Sequence, residues 1–280
     1  MNNRPLVTVE WLHSHLADNN VCVVDGSWHL PTENRDGHAE YLETHIPGAV
    51  FFDIDAISTP SDLPHMMPSA QIFSDAASQL GLSQSDTVVV YASAGSFSAA
   101  RVWWTLKVFG FQDVRLLNGG LPAWQVAGYK VENGDVVVAP TAVNATMQSN
   151  AVVDAAQVLK ASDTGASQIL DARSYGRFDG VAPEPRAGLR GGHIPGSLCV
   201  PFTELFSDGE LLSNELLEKV FEKHGVTKDK PLITSCGSGV TAAILTLALH
   251  CTGRDDCAVY DGSWTEWGGR DDLPVATKQA

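Results

Sequence analysis

One pattern occurs twice in this 280-residue chain, about 145 residues apart. Val21-Cys22-Val23-Val24-Asp25 answers to Gln168-Ile169-Leu170-Asp171, each a short apolar run ending in aspartate. His45-Ile46-Pro47-Gly48-Ala49 answers to His193-Ile194-Pro195-Gly196-Ser197, and Thr87-Val88-Val89-Val90-Tyr91 to the run 231–235. The segment 114–124 (VRLLNGGLPAW) answers to 257–267 (CAVYDGSWTEW). Each copy reads helix, strand, His-Ile-Pro-Gly turn, helix, strand, loop, helix, strand, Gly-rich turn. Strands alternating with helices imply an α/β fold: two tandem domains, each a mainly parallel sheet flanked by helices on both faces. The length agrees, because 280 residues exceed what one compact core usually holds. The stretch 132–150 (ENGDVVVAPTAVNATMQSN) lacks helical periodicity and carries Gly, Pro, Asn and Ser. We expect a linker over about 133–150, a boundary near 145, an N-terminal domain over 1–140 and a C-terminal domain over 150–280.

The copies differ where it matters for chemistry. In the second, an apolar strand over 231–233 leads into Ser235-Cys236-Gly237-Ser238-Gly239-Val240, and an Ala/Leu-rich helix follows over 241–250. Strand, tight loop and helix build an anion cradle, with loop N–H groups pointing inward and the helix N-terminus adding positive potential. A cysteine opening such a loop is in a setting that favours thiolate, and the two glycines allow the turn and the close approach of a ligand. Elsewhere a cysteine at a strand end is most often an inert core residue; here small neighbours leave room for a ligand. The first copy has Tyr91-Ala92-Ser93-Ala94-Gly95 instead, and continues through Ser96-Phe97-Ser98 into a helix over 99–109. It keeps the frame and lacks the nucleophile. Such a domain serves as a packing partner and supplies one wall of a cleft.

Composition narrows the partners. A net charge of −15 excludes nucleic acid and anionic membrane surfaces. A chain so acidic that handles a small anion needs local arginines. The five cysteines (Cys22, Cys199, Cys236, Cys251, Cys257) are odd in number and lack metal-ligand spacing, so neither a disulfide framework nor a metal site is expected. Cys251 and Cys257 are a weak candidate pair. Residues 1–16 carry no apolar signal region and no run of 18 apolar residues occurs, so a reducing cytoplasm is the default location.

The tandem repeat, a His-Ile-Pro-Gly turn in each half, Cys236-Gly237-Ser238-Gly239-Val240-Thr241 in the second half alone, the segment 176–196 (GRFDGVAPEPRAGLRGGHIPG) and the closing Tyr260-Asp261-Gly262-Ser263-Trp264 together resemble the rhodanese superfamily over essentially the whole chain. The likeness is greatest to its 3-mercaptopyruvate sulfurtransferase branch. It implies that Cys236 attacks the sulfane sulfur of a donor, carries it as a persulfide, and passes it to a thiophilic acceptor such as cyanide, a thiol or thioredoxin. It implies that Gly237, Gly239, Val240 and Thr241 form the loop that holds the transferred sulfur. No metal or organic cofactor is needed.

The residues bear on this independently. Backbone N–H groups spread stabilisation over a large soft anion without a formal counter-charge. A cysteine phosphatase uses a similar cradle but needs an arginine six residues after the cysteine, where this chain has Ala242. The thiosulfate-using branch carries basic loop residues suited to a dianion, whereas Gly237 and Ser238 are neutral. Mercaptopyruvate carries its single carboxylate away from its sulfur. Arg177 and Arg186, in a Gly/Pro-rich stretch too irregular for helix or strand, are placed to bind it bidentately. The other reading makes them solvated, or paired with Asp179 or Glu184. Release of pyruvate requires a proton, which Ser238 could relay with a base behind it. Asp55 and His65 match the family's partners for that task, though both lie in the N-terminal half and would have to reach Ser238 from there.

Other residues read as structural: His45 and His193 in the turns, Trp103 and Trp104 in the core, Asp25 and Asp171 at strand ends, Arg173 and Arg190 as structural or surface residues. Trp264 and Trp267 read equally as core or as cleft border. The alternatives are a thiosulfate sulfurtransferase and a non-catalytic rhodanese-type binding module.

Overall fold

The computed structural model describes residues 5–93 and 97–277. Ala94, Gly95 and Ser96 of the first-copy loop lie outside the described residues. By internal contact the chain divides into two compact units. One runs through Pro60 and adds Met67–Gln148 and Asp208–Leu211; the other holds Ser61–Met66, Ser149–Ser207 and the chain from Leu212 onward.

The first unit runs β1 (Leu6–Val7), α1 (Val9–His15), β2 (Val21–Asp25), α2 (Gly37–Glu43), β3 (Val50–Phe51), α3 (Ala70–Gln79), β4 (Thr87–Tyr91), α4 (Ala99–Val108), β5 (Asp113–Leu117) and α5 (Gly120–Val126). Its sheet has the order β1-β5-β4-β2-β3, with every pairing parallel. The second continues with β6 (Val152–Val153), α6 (Ala155–Thr164), β7 (Gln168–Asp171), α7 (Tyr175–Phe178), β8 (Leu198–Cys199), β9 (Phe206–Ser207), α8 (Asn214–Lys223), β11 (Leu232–Ser235), α9 (Ala242–Cys251), β12 (Cys257–Tyr260) and α10 (Ser263–Trp267), while β10 (Glu210–Leu211) groups with the first unit. Its sheet, β6-β12-β11-β7-β8, is again all parallel and repeats the first order strand for strand. The outer strands β1, β3, β6 and β8 are two residues long. They are too short to show period-2 alternation, and short edges resist unwanted pairing.

Local chemistry starts the helices where the sequence changes period. Thr8, Ser69 and Ser213 each accept the N–H three residues on, at the N-caps of α1, α3 and α8. Asp154 and Gln157 form a reciprocal capping box on α6. Alternation along the strands assigns the helices to faces. Val23, Val89 and Tyr91 pack with Leu12 of α1 and Leu121 and Trp124 of α5. Ile169, Ile233 and Tyr260 pack with Val158 of α6 and Trp264 and Trp267 of α10. The neighbouring residue Thr234 turns the other way, to Thr246 of α9, at 3.0 Å between hydroxyls. From Ala242 to Leu249 α9 is buried all round, as an apolar helix in the core must be. Trp264 and Trp267 are both fully buried, which decides for the core between the two roles open to them. Trp103 and Trp104 are core residues too.

The two His-Ile-Pro-Gly turns do the same work. His45 pairs in an antiparallel bridge with Glu132 and its Nδ1 meets the Tyr41 carbonyl at 2.8 Å. His193 pairs with Ala276 and its Nδ1 meets the Phe178 carbonyl at 2.8 Å. Each turn thus holds a later segment of its own copy. The second clamp is tight: Gly192, at φ 121°, leaves only 2.4 Å between a would-be Cβ and the Ala276 carbonyl oxygen. Gly192→Ala is therefore expected to cost about 1–3 kcal/mol in urea unfolding. A variant of wild-type stability would show that the clamp is not close-packed.

Candidate active site

Parallel pairing brings the carboxyl ends of β7, β11 and β12 to one edge, where ligands of open α/β sheets bind. Cys236 follows the last residue of β11 directly and is 2% exposed. The Gly239 N–H donates to its Sγ at 3.1 Å, from a residue whose φ of 82° suits glycine. α9 begins just beyond, with Thr241 at its N-cap and Val240 buried beneath the turn. The loop after β12 grips the backbone of the cradle. The Cys236 N–H donates to Ser263 Oγ at 3.1 Å, the Trp264 N–H to the Cys236 carbonyl at 2.9 Å, and Thr265 gives its N–H and hydroxyl to the Gly237 carbonyl at 2.9 and 2.6 Å. One backbone donor, the Gly239 N–H, thus meets the thiol beside the start of α9, and the loop backbone around it is held from the β12 side.

Beside the cradle runs a line of alternating charges. Asp171, at the end of β7, binds Arg173 at 2.7 Å; Arg173 reaches Glu184 at 2.6 Å; Glu184 holds Arg177 at 2.6 Å. Arg173 is fully buried and its guanidinium lies 4.2 Å from the centre of the Trp264 ring. Despite the cost of burial, Asp171 and then Glu184 hold its pKa above the usual value. Arg177, at the end of the line, is 22% exposed. Its Nη2 would sit 3.0 Å from a Cβ added to Gly237. The guanidinium thus lies over the cysteine loop, and any larger residue there would press on it. Arg177 stands on the single-turn helix α7, where the Gly/Pro content had pointed to irregular chain. The Ser174 carbonyl accepts the N–H groups of Arg177 and Phe178 and starts that turn. Arg186 lies half-buried further along the same segment.

His65, 5% exposed and at φ 46°, brings Nε2 to 3.2 Å from Ser238 Oγ. It reaches Ser238 because residues 61–66 fold with the second unit. Asp55, which is exposed, accepts the Trp28 indole N–H at 2.8 Å in the first unit. The remaining cysteines are all free thiols, Cys251 and Cys257 included. Burial, with Asp86 beside one and Asp171 beside the other, pushes Cys22 and Cys199 up to about 12. Burial alone leads in pushing Cys257 up to about 12. At neutral pH these three are protonated and poor nucleophiles.

The first copy has the same frame with other residues at these positions. Its β2–β4 register pairs Asp25 with Tyr91 as the second pairs Asp171 with Ser235, so Ala92 stands at the cysteine position and Ser27 at that of Arg173. Asp25 takes the Ser27 N–H instead of a guanidinium, and burial pushes its carboxyl up.

The Rhodanese-like domain family matches residues 8–127 and again 154–270. The chain belongs to the rhodanese family. It is 45% identical over 277 residues to a 3-mercaptopyruvate sulfurtransferase of Escherichia coli K12, covering 98% of this chain and 99% of that one. It is 43% identical to the mitochondrial thiosulfate/3-mercaptopyruvate sulfurtransferase 1 of Arabidopsis thaliana, covering 99% and 79% of the two chains. The crystal structure of the Escherichia coli 3-mercaptopyruvate sulfotransferase SseA superposes with a TM-score of 0.87 at 42% identity, covering 94% of this chain and 99% of that one.

Within this rhodanese frame, residue patterns exposed Cys236, Ser238, Arg177 and the loop glycines. They offered Glu184 as a partner of Arg177 or Arg186, and the structure pairs it with Arg177; what they passed over is its second bond, to Arg173. The one available signal was the contrast of Asp171-Ala172-Arg173 with Asp25-Gly26-Ser27. Removing the charge of Glu184 leaves two guanidinium groups against one carboxylate. Glu184→Gln is expected to lower stability by about 3 kcal/mol, read by urea unfolding; a loss under about 0.5 kcal/mol would mean that the bridge is not what holds the arginines.

Proposed function

We propose that this chain is a 3-mercaptopyruvate sulfurtransferase working through a persulfide on Cys236. The observation that carries this is an arginine lying over a neutral loop that opens with a buried, N–H-bonded cysteine. The Cys236 thiolate attacks the donor's sulfur. The S–S bond forms as the donor's C–S bond breaks, and the bonding pair goes to carbon as the pyruvate enolate. The enolate takes one proton, the donor's own thiol proton restoring the balance, so pyruvate leaves and Cys236 holds the sulfur as a persulfide. An acceptor thiolate, thioredoxin or cyanide then removes that sulfur and frees the cysteine. Gly239 supports this role by its N–H on sulfur, and Gly237, Val240 and Thr241 by shaping the cradle.

Arg177 and Arg186 take the donor's carboxylate in this reading. The charge balance favours one carboxylate over a dianion, since two carboxylates already meet Arg173 and Arg177. Ser238 and His65 move the proton, supported by their 3.2 Å approach. Asp55 accepts the Trp28 indole N–H in the first unit, and the relay rests on Ser238 and His65. Among the described residues no helix is long and apolar enough to cross a membrane. Five free thiols fit a reducing compartment, and we place the enzyme in the cytoplasm.

The test is a donor comparison with cyanide as acceptor. 3-Mercaptopyruvate is expected to exceed thiosulfate by about tenfold or more in kcat/KM. Arg177→Ala and Arg186→Ala are each expected to raise the KM for mercaptopyruvate roughly 10- to 100-fold, with Cys236→Ser as the inactive blank. Thiosulfate as the better donor would overturn the donor assignment. An unchanged KM in both arginine variants would overturn the carboxylate site.

A further inference from the structure

Among the described residues four non-glycines adopt left-handed backbone: Asn34 (φ 54°), His65 (46°), Asp208 (52°) and Ser263 (48°). Asn, Asp and His tolerate that region better than most. Serine does not share the tolerance, and Ser263 is fully buried, so its strain is neither solvated nor easily relaxed. The first copy holds the same position. Its Leu121 N–H donates to the Ala92 carbonyl as the Trp264 N–H does to the Cys236 carbonyl, so Gly120 is the counterpart of Ser263. Gly120 has φ 59°. The copy without a nucleophile meets the left-handed requirement with glycine. The copy with one uses a residue that strains there.

What the serine adds is a hydroxyl aimed at the nucleophile. Its Oγ accepts the Cys236 N–H at 3.1 Å and donates to the Tyr260 carbonyl at 2.8 Å. The second bond fixes the hydroxyl's direction, so its lone pair is committed to Cys236. With the Trp264 N–H on the Cys236 carbonyl, both polar groups of the cysteine backbone are anchored to the β12–α10 turn. The thiol can then turn only at its side chain, toward the Gly239 N–H.

We propose that Ser263 is a positioning residue for sulfur transfer: it holds a left-handed backbone so that its hydroxyl fixes the Cys236 backbone under the cradle that receives the persulfide. The proposal rests on the sulfurtransferase reading, and it deepens it. The strain that glycine would relieve is kept because the hydroxyl cannot be supplied by glycine.

Ser263→Gly and Ser263→Ala separate this from a purely structural role. Both remove the hydroxyl; only alanine keeps the strain. Ser263→Gly is expected to melt above Ser263→Ala, while both lose about tenfold or more in kcat with mercaptopyruvate and cyanide. The persulfide, loaded on Cys236 with inorganic polysulfide and followed by mass spectrometry, is expected to decay several-fold faster in both than in the wild type. Because polysulfide loads the cysteine whatever the natural donor, this readout stands even if the wild type ignores mercaptopyruvate, an outcome that would sink only the donor assignment. A Ser263→Gly enzyme with wild-type kcat and wild-type persulfide lifetime overturns the proposal.

Discussion

Asp171 lies beside Ser235, and Thr234 beside Val259, in a parallel register that decides where everything else in the second unit falls. Parallel strands put all their carboxyl ends on one edge. Three chains leave that edge together: one from β7 toward Arg173, one from β11 into Cys236, one from β12 into Ser263. A slip of one residue in β11 would turn Ile233 out of the core and bury the wrong face of the loop. The same register in the first unit leaves Ala92 and Gly120 in the corresponding places, a frame without a nucleophile.

Electrostatics at this edge is local, since the chain as a whole carries −15. Backbone donors and the start of α9 supply positive potential without titratable groups. Arg177, whose guanidinium overlies the loop, is anchored from behind by Glu184, which is anchored by buried Arg173, which in turn is held by Asp171. Such an alternating line costs little net charge in the interior and fixes the direction of its last member, which a lone surface arginine does not achieve. The neutrality of Gly237 belongs to the same design, because its missing Cβ is the space that Arg177 uses.

The fold was open to reading because it occurs twice: repeated strands ending in aspartate, repeated His-Ile-Pro-Gly turns, and one loop that differs. The cysteine stood out by the same contrast, and the neutral loop and Arg177 through the resemblance to the family. Other parts were closed to it for physical reasons. A two-residue edge strand has no periodicity to detect. The pairing of Glu184 with Arg177 was among the readings offered, but its second bond, to Arg173, joins two residues of irregular chain, where spacing carries no geometric information. His65, which meets Ser238 across 173 positions, was named through the family resemblance alone, because nothing in its local residue pattern points to so distant a partner. Ser263 looked like one more turn residue in Tyr260-Asp261-Gly262-Ser263-Trp264, because the sign of φ is not written in residue type. It became visible only when Gly120 could be laid beside it.

The central claim is that sulfur travels through Cys236. The direct measurement is peptide mapping by mass spectrometry after a single turnover with 3-mercaptopyruvate and no acceptor. The account predicts one added sulfur on the Cys236 peptide, its loss when cyanide is supplied, and none on Cys22, Cys199 or Cys257. Sulfur on one of those three, or pyruvate released while Cys236 stays unmodified, would contradict it.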